Sequence, residues 1–137
     1  MKRIFLVDFT TTSHTFLEDN PKLSPEDEII IFFGGSYNKL PIAVTDAARE
    51  TNAVVKTIYK GTEKKNIAFI ISTYAAYMFG KYGNIANYYV VSRTTQLKAL
   101  IDYADTNTNI QVKYGKTIKK CLERASKEAQ NEECISN

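Results

Sequence analysis

The first apolar run of the chain, Arg3-Ile4-Phe5-Leu6-Val7-Asp8, stops at an acid, and a hydroxyl cluster, Thr10-Thr11-Thr12-Ser13, follows it. A carboxylate at a strand end is a common metal or catalytic position and an equally common turn former. Hydroxyls beside it can donate to the acid or cap a turn. A second run ends in Gly34-Gly35-Ser36, whose N–H groups can cradle an anion. Neither G-x-x-x-x-G-K-[ST] nor the strand-linked G-x-G-x-x-G occurs, so a Walker loop and a dinucleotide fingerprint are both excluded. A further run closes in Ser92-Arg93-Thr94. Lys39, Lys60, Lys64, Lys65 and Arg93 fall at the same ends of these runs and predict a net basic edge. Lys113, Lys116, Lys119, Lys120, Arg124 and Lys127 make a second basic series, read as a solvated helix face with Glu123 and Glu128 interspersed. A lone histidine, His14, and two cysteines without histidine companions, Cys121 and Cys134, leave a classical triad or histidine-built zinc centre short of parts.

These residues need elements to position them. Apolar runs at 3–8, 28–33, 53–59 and 88–92 are short and β-branched or aromatic, and 110–114 is a fifth. Nearly continuous apolar character predicts strands buried on both faces of a parallel sheet. Helical spacing intervenes. Pro41 opens one helix, with Ile42, Ala43, Ala47 and Ala48 expected inward. Residues 66–82 form the longest helix and the most apolar. Thr94 or Thr95 is expected to cap a helix carrying Leu97, Leu100, Ile101 and Ala104 inward. A last helix spans about 115–130, before a flexible tail at 131–137. Alternating strands and helices predict a three-layer α/β/α sandwich around a mostly parallel sheet of about five strands. Ligands of such sheets bind beyond the carboxyl ends of the strands. That places the candidate site among residues 8–13, 34–37, 60–66 and 92–95.

With 137 residues, 44% of them hydrophobic and a net charge of +3, the chain has material for one domain with a real core. The mild basicity permits a phosphate-bearing partner without requiring one. No apolar stretch is long enough to span a membrane and no signal peptide is legible, so a cytoplasmic protein without a membrane partner is expected.

The order of segments resembles the PIN-like domains, the nuclease superfamily that includes the NYN group. A bacterial PIN-like subgroup has a strand ending Asp-Tyr/Phe-Glu-Asn, a D-x-I-x-x-F-Y strand, a helix beginning Asn-Ala-Leu-Asp-Phe, and a later Ser-Lys-Asp. The similar stretches here are Leu6-Val7-Asp8-Phe9-Thr10-Thr11, residues 27–33, Lys65-Asn66-Ile67-Ala68-Phe69 and Val91-Ser92-Arg93-Thr94. The resemblance covers about the first 115 residues and implies a single PIN-like domain over residues 1–130. It also implies a cluster of about four carboxylates holding Mg²⁺ or Mn²⁺ against a scissile phosphate. Carried over position by position, only Asp8 remains. Thr10 and Thr11 stand where the glutamate and asparagine would be, Ala68 or Phe69 where the helix aspartate would be, and Thr94, preceded by Arg93, at the strand end.

The resemblance therefore implies a degenerate domain acting by binding RNA, a nucleotide or a protein partner, and needing no metal. Asp8, Thr10, Thr11, Ser92, Arg93 and Thr94 would line its crevice, which the loss of acids would make friendlier to phosphate. The alternative is an Mg²⁺- or Mn²⁺-dependent endoribonuclease whose acidic site is rebuilt from Asp8, Asp46 and Glu63. A third reading is a structural or regulatory subunit, with the 66–82 helix and the last helix buried against a second copy or another protein.

Overall fold

The computed structural model describes residues 1–61 and 67–136. Five strands alternate with helices: β1 (Lys2–Asp8), α1 (Phe9–Thr12), β2 (Glu28–Phe33), α2 (Ile42–Arg49), β3 (Val54–Tyr59), α3 (Ile67–Tyr82), β4 (Ala86–Val91), α4 (Lys98–Asn107), β5 (Val112–Gly115) and α5 (Ile118–Ser136). A 3₁₀ turn, Ser13–Leu17, extends α1. The strands form one parallel sheet in the order β3-β2-β1-β4-β5. The chain therefore winds outward from β1 through β2 to β3, then crosses back to the other side of β1 for β4 and β5. The reversal falls between β1 and β4, where open α/β sheets form their crevice.

Side-chain alternation explains why the central strands β1, β2 and β4 are apolar through their interiors. Phe5, Val7, Ile29, Ile31, Phe33, Tyr89 and Val91 pack on one face, where Phe9, Phe16, Val44, Ala48, Ile118 and Cys121 cover them. Ile4, Leu6, Ile30, Phe32, Tyr88 and Val90 pack on the other, under Ile67, Ile71, Ala75 and Met78 of α3 and Ala104 of α4. With helices over both faces, the interior positions of β1, β2 and β4 must be apolar whichever way they point, whereas the edge strand β3 is largely exposed and carries Lys56 and Thr57. The three-layer α/β/α sandwich is thus the observed architecture.

Several elements depart from the sequence-based expectation. In α2 the buried residues are Val44 and Ala48, while Ile42 is 76% exposed. Pro41 is the N-cap rather than the first helical residue, which sets the helix so that the i, i+4 pair 44/48 meets the sheet. Thr94 and Thr95 do not cap α4, which begins at Lys98 after an intervening turn; Thr94 Oγ1 instead accepts the Gln96 N–H at 3.2 Å. Helix α5 continues past Gln130 to Ser136, into the expected tail. No described helix is long and apolar enough to cross a membrane. Cys121 is fully buried, and burial pushes its thiol up to about 12, so it serves as a core residue rather than a nucleophile.

At the amino edge of the sheet, Arg3 clamps Asp27. The guanidinium donates from Nε to Oδ1 at 3.1 Å and from Nη2 to Oδ2 at 2.7 Å, and Asp27 also accepts the Ser24 N–H at 2.8 Å. The clamp fixes the entry of β2 beside β1. Burial alone would raise the Asp27 carboxyl, but the Arg3 and Ser24 hydrogen bonds outweigh it and hold the group below its ordinary value. A depressed folded-state value stabilises the fold above the unfolded carboxylate range, and that stability is lost as pH falls through the folded value. Arg3→Ala should cost about 3 kcal/mol near neutral pH, because it strands a buried charge. In urea titrations the loss should shrink as pH falls below the ordinary carboxylate range and through the depressed value of folded Asp27, where the parent protein loses the ion pair as well.

Candidate functional site

The candidate site lies at the β1/β4 reversal and is built around a carboxylate that has no exposed surface. Asp8 is the last residue of β1, and its side chain falls on the α3 face, as does that of Ser92 just beyond β4. Three hydroxyls donate to Asp8. Thr10 Oγ1 reaches Oδ1 at 2.6 Å, while Thr11 Oγ1 and Ser92 Oγ reach Oδ2 at 3.1 and 3.0 Å. Each of the last two also accepts a main-chain proton: the Arg93 N–H at 3.0 Å to Thr11, and the Thr94 N–H at 3.2 Å to Ser92. A hydroxyl has one proton to give and two lone pairs, so both groups bridge the acid to the loop after β4. Thr12 adds a bond to the Asp8 carbonyl at 3.0 Å, which ties α1 to the same residue. Thr11 also lies 3.3 Å from Ser92, Oγ1 to Oγ.

In front of this cluster is a crevice of about 310 Å³. Asp8, Thr10 and Thr11 line it from the β1 end, and Thr94 and Gln96 line it from beyond β4. Residues 34–37 line it after β2, and Ile67 closes it at the start of α3. Gly34 is needed here because the backbones crowd: a Cβ on it would sit 2.4 Å from the Gly61 carbonyl oxygen and 2.5 Å from Lys60 Cγ. Gly35 takes φ +67° and donates its N–H to the Gly61 carbonyl at 3.1 Å. The Tyr37 ring packs edge-on against Phe9, with centroids 5.1 Å apart.

Of the residues selected from sequence, Asp8, Thr10, Thr11 and Thr94 line the crevice, and Ser92 stands buried behind them. Arg93 contributes its main-chain N–H but not its charge: its guanidinium lies 3.3 Å from Thr15 Oγ1, away from the lining. Asp46 is exposed on α2, where its nearest cation is Arg49 at 4.0 Å, and it does not join Asp8. Glu63, Lys64 and Lys65 lie outside the described residues. Lys39 is exposed and off the lining, and Lys60 is buried against Gly34. Among the described residues no cation lines the crevice, whose described lining is rich in hydroxyls around one acid; Lys64 and Lys65 of the expected basic edge lie outside the described residues. Gln96 and Ile67 were missed. The turn that brings Gln96 inward depends on a bond to Thr94, and Ile67 reads as core.

Among the described residues, Asp8 is the one acid on the crevice lining, where the PIN-like resemblance implies about four. Asp8 already accepts three hydroxyl protons, and among the described residues no three His, Cys, Asp or Glu side chains group to hold a metal. Ala68 and Phe69 bring no donor atom, and Phe69 is 73% exposed. No family model matches the chain, and no match is found among curated proteins or among solved structures.

The network makes Ser92 a structural tie. Ser92→Ala removes a donor from a buried carboxylate and should destabilise the fold by about 1–3 kcal/mol. Thr94→Ala, at the rim, should cost within ~0.5 kcal/mol. Urea unfolding midpoints at unchanged m-value measure both.

Proposed function

We propose that this chain is a PIN-like domain that works by binding rather than by metal-dependent cleavage. We propose also that its β1/β4 crevice takes an uncharged, hydroxyl-bearing ligand about the size of a nucleoside. The observation that carries the reading is the hydroxyl-saturated Asp8. A carboxylate with three hydroxyl donors already in place would have to give up several of those bonds to coordinate a cation, with no second acid on the described lining to share the charge. The same lining supports recognition of a neutral polar ligand. Thr10, Ser36 and Thr94 supply hydroxyls, Gln96 a paired donor and acceptor, and Tyr37 an aromatic ring. A volume of about 310 Å³ lies at the lower end of small-molecule sites, which favours a single nucleoside over a dinucleotide.

Saturation-transfer NMR with free nucleosides tests the reading. Nucleosides should show transfer, and Gln96→Ala should weaken it several-fold while leaving the thermal unfolding midpoint in place. Cleavage of single-stranded RNA in Mn²⁺ that Asp8→Asn abolishes would overturn the binding reading. It would favour the rearranged nuclease.

A further inference from the structure

The last helix carries a feature independent of the crevice. In the sequence its cations look like a solvated face balanced by glutamates; in the fold they separate into two sets. Lys113 is engaged by Glu128, and Lys119 turns to the Asp19 carbonyl at 3.4 Å. Lys116, Lys120, Arg124 and Lys127 remain along one open groove of about 380 Å³ between α5 and the end of β5. On α5 a spacing of four and three residues keeps Lys120, Arg124 and Lys127 on one stripe, about 10 Å long at 1.5 Å per residue, and Lys116 lies in the turn just before the helix. None of the four has an ion-pair partner within 4.0 Å among the described residues. Arg124 is held in place by donating to the Tyr114 carbonyl at 3.2 Å. Glu123 is the one acid of the groove left after Glu128 is taken by Lys113.

We propose that this groove binds the phosphate backbone of single-stranded nucleic acid. Two features favour that occupant. The positive charges are strung along a line rather than converging on a point, which suits a linear polyanion better than a compact one. Glu123 within the groove penalises a small, highly charged anion that would have to sit beside it. Tyr114 contributes its main-chain carbonyl, which holds Arg124, while its ring packs on the α3/α4 side of the sheet. The groove also opens at the carboxyl edge of the sheet, where the Ser92 N–H donates to the Gly115 carbonyl at 3.1 Å, so a bound strand would run towards the β4 end.

Fluorescence anisotropy of a labelled twelve-nucleotide oligouridine with the full chain tests this. Four phosphate contacts predict a slope of log affinity against log salt of about −2.8, or roughly fifty-fold weaker binding between 50 and 200 mM salt. Lys120→Glu should weaken binding at least ten-fold. Lys81→Glu, the same charge change at the opposite edge of the sheet, should alter it less than two-fold. Absence of salt-dependent binding, or equal losses in the two variants, would overturn the proposal. So would polyglutamate displacing the oligonucleotide at lower charge concentration than unlabelled oligouridine, which would point to an acidic protein partner instead. Nucleoside binding in the crevice has its own readout, so either site can fail without the other.

Discussion

A charged carboxylate with no exposed surface must find donors inside the protein, and much of the architecture around Asp8 follows from that requirement. An unsatisfied buried charge costs several kcal/mol, enough to consume much of a small domain's stability. The donors here are hydroxyls from two distant parts of the chain, Thr10 and Thr11 after β1 and Ser92 after β4. Because Thr11 and Ser92 also accept N–H groups from Arg93 and Thr94, satisfying the acid simultaneously fixes the path of the loop after β4. The two strands that flank the reversal of the sheet are thus tied at their carboxyl ends by side chains as well as by their ladder. The tie also forms the back wall of the crevice.

Charge is distributed unevenly around this frame. At the amino edge, acids and bases pair: Arg3 with Asp27, and Lys2 and Lys56 with Glu28. At the carboxyl edge Asp8 is the one charged group on the crevice lining among the described residues, while cations without a described ion-pair partner lie further along the edge on and beside α5. A neutral polar pocket and a basic groove on one sheet edge are suited to different parts of a ligand, or to two ligands. Pairing at the opposite edge leaves little charge there to attract a partner.

The sheet was legible because burial on both faces demands continuous apolar strands, and Glu28-Ile29-Ile30-Ile31-Phe32-Phe33 has no other reading. Asp8, Thr10, Thr11, Ser92 and Thr94 could be grouped from sequence because the strand ends of a parallel sheet converge. What sequence could not supply was side-chain direction. Arg93 and Lys60 sit at the right edge, yet the first leans on Thr15 and the second packs against Gly34, so the expected positive pocket is absent from the described lining. Similarly, Lys113 and Lys119 look equivalent to Lys116 and Lys120 until their partners Glu128 and the Asp19 carbonyl are placed. Helix phase was the other gap: Val44 and Ala48 of α2 face the sheet and Ile42 does not.

The central claim is that Asp8 is a hydroxyl-bound structural tie and not a metal ligand. Electron paramagnetic resonance of free Mn²⁺, titrated with the full chain and with Asp8→Asn, tests it most directly. The account predicts that both proteins leave the same fraction of Mn²⁺ free. A stoichiometric loss of the free-ion signal with the parent chain, restored by Asp8→Asn, would contradict it.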